Sequence, residues 1–350
     1  MKKIKGVSLF SSAGIAEMYL KDIGIDIKVA NELLEKRAKL YSFLHPKSKM
    51  IQGDITDKEI FNSISEEVKK NNCKFLIATP PCQGFSSLGK KDYINDERNF
   101  LIFNIIDLID DNDFDIIFIE NVPKYLKMLF PYKGDLRTIY QILNEKYSNK
   151  YHIYTDVLNA KDYGVAQSRP RGFILLLKQE YSWIKPHKMA EINLRECIGD
   201  LPSLESGEKS GIKWHNAKVH NDREIEAMSH TPEGTSAMNN TIYYPKKKDG
   251  SKIKGFHNTY KRMRWDKPAP ARTIGSGSIG GHNNVHPGLR KADGTYTDAR
   301  VLTIRELLIV SSLDPDMDFP DWCSDNFIRE VIGEAIPPMF CKNILKGIKG

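Results

Sequence analysis

The chain has 350 residues, of which 40% are hydrophobic and 28% are charged, as in an ordinary soluble globular protein. No apolar stretch approaches the ~20 residues of a membrane helix, and the first residues lack the apolar core of a signal peptide. The five cysteines are odd in number and nowhere at C-x-x-C spacing, which argues against a disulfide framework or a zinc site. We therefore expect a cytoplasmic protein with reduced thiols, no bound metal and no membrane partner.

The net charge is +7, and its distribution along the chain is uneven. Residues 178–272 hold 18 Lys and Arg but 12 Asp and Glu, so most of the excess lies in about a quarter of the chain. This pattern fits a polyanionic partner and fits equally well a basic face exposed to solvent.

Residues 4–178 alternate short apolar runs with longer amphipathic stretches. This alternation predicts parallel strands joined by right-handed helical crossovers, which is a doubly wound α/β domain. Strands are expected at 4–10, 25–30, 74–79, 115–119, 152–157 and 172–177, and helices at 15–23, 33–45, 58–71, 100–110 and 136–147.

After residue 178 the pattern gives way to stretches rich in Gly, Pro, His and Lys, with interspersed aromatic residues. We predict a second, smaller and irregular lobe with an ordered binding surface. Regular helices are expected again at 303–312 and 326–346.

Cys82 follows the apolar run 75–78 and lies between Pro81 and the pair Gln83-Gly84. Because prolines cannot continue the strand, the thiol should lie in the loop at the strand's carboxyl end, where open α/β sheets carry their chemistry. A lone cysteine is more often a buried core residue, but the flanking prolines and glycine favour a presented nucleophile.

Motifs in consistent order along the chain resemble those of the cytosine carbon-5 DNA methyltransferases. Pro81-Cys82-Gln83 resembles the nucleophile motif, Glu120-Asn121-Val122 the acid motif, and 167–171, Gln-Ser-Arg-Pro-Arg, the Q-x-R-x-R motif. Arg272-Thr273-Ile274 resembles the segment after the recognition region, and 333–338, Gly-Glu-Ala-Ile-Pro-Pro, the last motif. The resemblance implies a Rossmann-like, S-adenosylmethionine-dependent enzyme with a target-recognition domain.

The chemistry of these residues is consistent with that reaction. A Cys82 thiolate added to carbon 6 of cytosine makes carbon 5 nucleophilic toward a methyl group. Glu120, at the end of the strand 115–119, should reach the same sheet edge and contact N3 and the exocyclic amine. Arg169 is the expected cation near the thiolate and the pyrimidine O2, while Asn121 and Gln167 are further candidates.

The resemblance implies S-adenosylmethionine as methyl donor and S-adenosylhomocysteine as product. Glu32 would bind the ribose hydroxyls, Asp54 the adenine amine, and Gly14 would let the backbone approach the cofactor. Where the family usually has glycines this chain has Ser12 and Ile15. The apolar walls of the cofactor site would be formed by Phe10, Ile55, Pro81 and Leu101. Glu334 is the last cofactor candidate, and it stands where the family commonly has Asn.

A cytosine in duplex DNA must be flipped out before it can react. The polar segment 83–99 suits a loop that closes over DNA. Its residues Gln83, Ser86 and Ser87, together with Arg171 and Arg272, are the candidate DNA contacts.

The predicted domains are 1–178 for catalysis and the cofactor, 179–271 for target recognition, and 272–350 for a return to the catalytic domain. We expect a monomer that acts on double-stranded DNA, with a restriction endonuclease as a separate companion protein. Two alternatives remain open: an RNA cytosine methyltransferase of the same fold, and a catalytically silent nucleic-acid-binding protein.

Overall fold

The computed structural model describes residues 3–81, 97–281 and 283–350. These divide into two compact units. The first comprises Met1–Asn159, Pro170–His187 and Phe340–Gly350, and the second comprises Ala160–Arg169 and Lys188–Met339.

The first unit is built on a seven-stranded sheet. Its strands are β1 (Ile4–Leu9), β2 (Ile25–Glu32), β3 (Lys49–Gln52), β4 (Phe75–Ala78), β5 (Ile116–Asn121), β8 (Tyr151–Asn159) and β10 (Pro170–Lys178), in the spatial order β3-β2-β1-β4-β5-β10-β8. Strands β1 to β5 are parallel, whereas β10 runs antiparallel to both neighbours. The chain moves outward from β1 to β3 and then restarts at β4 on the other side of β1. The carboxyl edge beside β1 and β4 is therefore the topological switch point, where such sheets bind ligands.

In the described residues, the α-helices that connect these strands are α1 (Glu35–Leu44), α2 (Lys58–Asn71), α3 (Leu101–Asp111) and α4 (Ile139–Tyr147). Asp57 caps α2 by accepting hydrogen bonds from the backbone N–H groups of Glu59 and Ile60, and Thr138 begins α4 in a capping box with Gln141. Apolar side chains of α2, α3 and α4 bury against β1, β4 and β5 in one continuous core. A short hairpin, β6 (Phe130–Tyr132) and β7 (Asp135–Arg137), precedes α4.

The second unit has little regular structure. Its elements include β9 (Gln167–Ser168), which pairs with β12 (Ala269–Pro270), and α5 (Leu194–Ile198), α6 (Asp222–Ser229), α7 (Ile304–Val310) and α8 (Asp325–Glu334). A small core joins α6 to Val285 and Val301. Buried Arg300 links Asp298 at 2.7 Å and Glu306 at 2.8 Å, so this ion-pair network holds together segments that lack a sheet.

Several local predictions differ from the structure. Residues 15–23 form two short 3₁₀ helices, Ile15–Glu17 and Leu20–Ile23, and the second ends at left-handed Gly24. Strand β3 is a further difference, because the sequence does not predict it. The single helix expected at 326–346 is two helices, α8 and α9 (Pro338–Leu345), because Pro337 and Pro338 interrupt the helical hydrogen bonds.

The boundaries of the compact units also differ from the boundaries of the predicted domains. The chain returns to the first unit at Phe340, whereas the predicted return is at residue 272. After Phe340, β13 (Ile348–Lys349) pairs with β11 (Ser182–Trp183) of the same unit. Segment 272–339 belongs to the second unit, where α7 packs with both α8 and α5. The functional roles assigned to the predicted domains stay predictions.

Candidate active site

Most of the predicted catalytic and cofactor residues that the structure describes in the first unit lie at the carboxyl edge of the parallel strands. In the sheet register Leu9 lies beside Ala78, Ala78 beside Ile119, and Glu32 beside Gln52. The residues that follow these positions therefore leave the sheet at one edge. Strand pairing thus brings together residues from five separate parts of the sequence.

Two hydrogen bonds anchor the chain just before the predicted nucleophile. Asn121 donates from Nδ2 to the carbonyl of Pro80 at 3.1 Å, and Thr79 donates from Oγ1 to the carbonyl of Phe10 at 3.1 Å. Asn121 is itself oriented because its Oδ1 accepts from the N–H of Val122 at 2.8 Å. Asn121 therefore positions the Pro80-Pro81 segment. The predicted residues Cys82, Gln83, Ser86 and Ser87 lie outside the described residues.

Glu120 forms an ion pair with Arg171. The two atoms Arg171 Nε and Glu120 Oε1 are 2.9 Å apart, and both side chains are largely buried, with exposed fractions of 17% and 9%. Glu120 pairs in register with Phe173 on β10, so Arg171, two residues along, presents its side chain on the same sheet face. This pairing places a guanidinium beside the candidate acid.

Arg169 has a different environment, within the second unit. Its guanidinium is buried and donates to the carbonyls of Arg272 at 2.6 Å, Gly333 at 3.1 Å and Glu334 at 2.5 Å. Gln167 is also buried; it donates to Ser311 Oγ at 3.3 Å and accepts from the N–H of Arg272 at 3.2 Å. These contacts favour a framework role for both residues, whereas we expected Arg169 to be the catalytic cation and Arg171 a DNA contact.

The last motif packs against the segment after the recognition region. A Cβ on Gly333 would lie 2.0 Å from the carbonyl oxygen of Thr273, so glycine is required for this close approach. Arg272 is 2% exposed, and it donates to Pro270 O at 2.8 Å, Asn283 O at 3.0 Å and Asn284 Oδ1 at 3.1 Å. Burial lowers the pKa of Arg272 to about 10. This placement favours a structural role, and the predicted DNA contact of Arg272 stays a prediction.

The turn after β1 has the backbone conformation of a glycine-rich loop although it contains few glycines. Phe10, Ser12 and Gly14 have φ of 56°, 48° and 73°, in the left-handed region that side chains disfavour. A Cβ on Gly14 would lie 2.4 Å from His45 Nε2, which donates to the Gly14 carbonyl at 3.0 Å. Burial lowers the pKa of His45 to about 4, so the ring is neutral at physiological pH and holds the turn through one N–H.

Glu32 joins this turn to the end of β2. Its carboxylate is buried and accepts from the N–H of Ser12 and from the N–H of Leu34, both at 2.9 Å. Because each carboxylate oxygen has two lone pairs, the group can also accept from ligand hydroxyls. Asp54 is exposed after β3, where its Oδ1 accepts from the N–H and Oγ1 of Thr56 at 2.9 and 2.8 Å.

Sequence reasoning missed Asn31. This residue is 2% exposed, and its Nδ2 donates to the carbonyls of Ile51 at 2.9 Å and Gly53 at 3.1 Å, so it joins the turns that carry Glu32 and Asp54. A polar residue at the buried end of an apolar strand was the available signal. Thr79 and His45 were missed as well, because their roles depend on contacts distant in sequence.

The apolar candidates have varied settings. Ile55 is buried and also lines an open cavity of about 420 Å³ beside α2 and α3. Leu101 begins α3 and packs against the core, as does Phe10. Pro81 is half-buried where the described part of the chain stops. Glu334 ends α8 in the second unit.

The family model of the C-5 cytosine-specific DNA methylases matches residues 4–350, which is nearly the whole chain. The chain belongs to this family. The predicted resemblance, the predicted fold class of a methyltransferase α/β domain and the predicted enzyme class are thereby confirmed. Among the described residues of this methylase, no group of three or more His, Cys, Asp or Glu side chains could hold a metal ion, and no helix is long and apolar enough to cross a membrane.

Similar proteins cover almost the same length. The type II methyltransferase M1.HgaI of Avibacterium volantium is 46% identical over 351 residues, which are 99% of this methylase and 98% of that protein. The type II methyltransferase M1.HphI of Haemophilus parahaemolyticus is 27% identical and covers 98% of this chain and 86% of its own.

Solved structures share the fold. A DNA modification methyltransferase encoded within an Escherichia coli prophage superposes with a TM-score of 0.68 at 21% identity, covering 98% of each chain. The Entamoeba histolytica methyltransferase EhMeth superposes with a TM-score of 0.65 at 15% identity, covering 99% of this chain and 98% of its own.

Proposed function

We propose that this methylase transfers a methyl group from S-adenosylmethionine to carbon 5 of a flipped-out cytosine in duplex DNA through a covalent Cys82 adduct. The observation that carries the proposal is the pairing of Glu120 with Arg171 at the sheet edge where Asn121 holds the Pro80-Pro81 segment. An acid, a cation and the segment leading to the thiol thus converge at one edge.

The first unit supplies groups that fit S-adenosylmethionine. The Glu32 carboxylate retains acceptor capacity for ribose hydroxyls, and the turn at Gly14 has no space for a side chain. Asp54 is oriented by Thr56 and exposed, as an acceptor for an adenine amine would be. When bound, the cofactor supplies an electrophilic methyl group. Phe10, Ile55, Pro81 and Leu101 are proposed as apolar neighbours, and Glu334 as a further contact.

In the proposed reaction the Cys82 thiolate forms a bond to carbon 6, and the electron pair of the carbon 5–carbon 6 double bond moves to carbon 5. After methylation, the carbon 5 proton leaves, the double bond returns and the sulfur–carbon bond breaks. Glu120 would hydrogen-bond N3 of the ring and thereby draw electron density from carbon 6. We assign the cationic role to Arg171 instead of Arg169, because Arg171 contacts Glu120 while Arg169 donates to three carbonyls of the second unit.

We further propose that the second unit contains the target-recognition region, that Gln83, Ser86 and Ser87 contact DNA, and that the enzyme acts as a cytoplasmic monomer in a restriction-modification system. The type II naming of its relatives supports this last point. Methylated cytosines mapped in DNA from a host that expresses the chain would give the target sequence. That DNA should resist an endonuclease that cuts the mapped site, and cleavage at the normal rate would contradict the proposed role.

A trapping experiment tests the covalent step. Duplex DNA with 5-fluorocytosine at the mapped site should accept the thiolate and the methyl group but cannot lose fluorine as a cation, so protein and DNA should remain joined. The complex should resist denaturation, require S-adenosylmethionine and map to Cys82, and Cys82→Ala should abolish it.

Four matched controls use the other cysteines, each replaced by alanine: Cys73, Cys197, Cys323 and Cys341. These variants should still form the adduct. Methylation by Cys82→Ala, or an adduct on another cysteine, would refute the mechanism. Transfer RNA offered in competition tests the RNA alternative, and preferential methylation of RNA would favour it.

A further inference from the structure

The second unit carries a lysine-rich hairpin at residues 245–253, which we call the basic hairpin. Lys246 and Lys252 face each other as an antiparallel bridge, the N–H of Lys247 donates to Ser251 O at 2.8 Å, and the N–H of Ile253 donates to Pro245 O at 2.9 Å. Gly250, at φ 83°, closes the turn. The segment therefore has a defined backbone with its two strands in register.

The base of the basic hairpin is fixed to the second unit. The ring of Tyr243 stacks on His230 with centroids 3.5 Å apart, and its carbonyl accepts from Asn240 Nδ2 at 3.0 Å. Asn240 also donates to Thr231 Oγ1 at 3.1 Å. These contacts orient the hairpin relative to α6, which ends at Ser229.

The charge of this segment is strongly positive and locally unbalanced. The acidic residue within it is Asp249, whose Oδ1 accepts from the N–H of Ser251 at 2.9 Å and from its Oγ at 2.6 Å. Among the described residues no carboxylate forms an ion pair with the lysines of this segment, and all but Lys246 are exposed. The lysines of the hairpin are Lys246, Lys247, Lys248 and Lys252, and Lys254 follows it directly.

Two of these ammonium groups converge on one aromatic ring. Lys246 Nζ and Lys252 Nζ lie 5.3 and 5.0 Å from the ring centroid of Tyr244. Like charges directly opposite each other on paired strands are destabilising, and the face of the ring offsets this cost in part. An anion at this position would relieve the remaining repulsion.

We infer that the basic hairpin binds the phosphate backbone of the DNA and does not read its sequence. An ammonium group is a compact charge suited to phosphate, whereas Arg, Asn and Gln supply the planar, bidentate groups typical of base recognition, and residues 245–254 contain none of these three. The inference rests on the proposed function. In this proposal the hairpin contributes to the affinity for DNA, and other residues of the second unit select the target sequence.

The test compares Lys246→Gln/Lys252→Gln with wild type in binding to duplex DNA that carries the mapped site, at a series of salt concentrations. Loss of two phosphate contacts should reduce the slope of log Kd against log salt by about 1.8. The matched control is Lys49→Gln/Lys70→Gln, which removes the same charge from two exposed lysines that pair with Glu67. Both control positions lie at the amino edge of the sheet, because Lys49 begins β3 and Lys70 lies at the end of α2, before β4. The control should keep the wild-type slope.

At low salt and saturating DNA, the hairpin variant should methylate the same sites as the wild type. An unchanged salt slope, or an equal change in the control, would overturn the inference, and so would a relaxed target sequence, which would show base readout. If wild type methylates no DNA, the proposed function fails instead. A thermal melt confirms folding, since removal of both opposed like charges should not lower Tm.

Discussion

Arg169 and Arg171 are two residues apart, yet the structure predicts opposite consequences of their loss. Replacing Arg169 by Met removes a buried charged donor from three carbonyl oxygens. A buried polar group left without a partner costs about 1–3 kcal/mol, so with some relaxation we expect a loss of roughly 3–5 kcal/mol. For a unit of this size that corresponds to a fall in Tm of roughly 10 °C.

Arg171→Met should instead preserve the fold and strongly reduce turnover. The Arg171 side chain is largely buried, and its described contacts are the Glu120 ion pair and a hydrogen bond to Pro170 O at 2.9 Å, so we expect its loss to cost roughly 1–3 kcal/mol, less than the loss of Arg169. Loss of a preorganised charge at the reacting centre should lower kcat by about 10²–10³-fold.

Calorimetric melting and single-turnover methyl transfer measure the two effects separately. Arg264→Met serves as the control, because its ion pair with Asp266 is exposed and should matter to neither measurement. Hydrogen exchange should show that Arg169→Met loosens the second unit first. A stable but inactive Arg169→Met protein, or an Arg171→Met protein with wild-type turnover, would refute the assignment.

Three further predictions concern the first unit. Gly14→Ala should lower the free energy of unfolding, measured in urea, by roughly 2–4 kcal/mol, because φ is 73° and the new Cβ would lie 2.4 Å from His45 Nε2. A smaller loss would contradict this geometry of the turn. Burial raises the pKa of Glu17 from 4.5 to about 7. Between these values the folded protein holds a proton that the unfolded chain has lost, so this residue makes stability fall by roughly 3 kcal/mol as pH rises from 4.5 to 7. Glu17→Gln should remove that part of the pH dependence, and an unchanged profile would show that Glu17 is not the titrating group. In calorimetry, Asp54→Ala should weaken S-adenosylmethionine binding without affecting Tm. Glu32→Ala should lower both the affinity for S-adenosylmethionine and Tm, because Glu32 also accepts two backbone hydrogen bonds. Full affinity in both variants would exclude the proposed cofactor site.

The main elements of the first unit could be predicted because their signals are local. Helix α2 begins and ends at the predicted residues 58 and 71, and β1, β2, β4 and β5 lie within a few residues of their predicted positions. The four-residue strand β3 could not be predicted, because Lys49–Gln52 has too few apolar residues and depends on pairing with β2. The split between α8 and α9 has a local signal in the sequence, the pair Pro337-Pro338.

The candidate site was predicted in part. Motif order identified Glu120, Asn121, Glu32 and Gly14, and the sheet brings these residues to one edge of the first unit. Motif order could not assign the two arginines of the Q-x-R-x-R motif, because both occupy equivalent places in a pattern of letters.

The sequence by itself determined the family and the α/β class and named the candidates for the reactive side chains, since these follow from residue type, spacing and hydrophobic period. The tertiary structure decided which arginine meets Glu120, that Asn31 and Asn121 hold the turns, and that the lysines at 246–254 form an ordered hairpin around Tyr244. The physical reason is that hydrogen bonds and ion pairs between residues far apart in sequence depend on strand register and burial, and neither leaves a local signal in the chain.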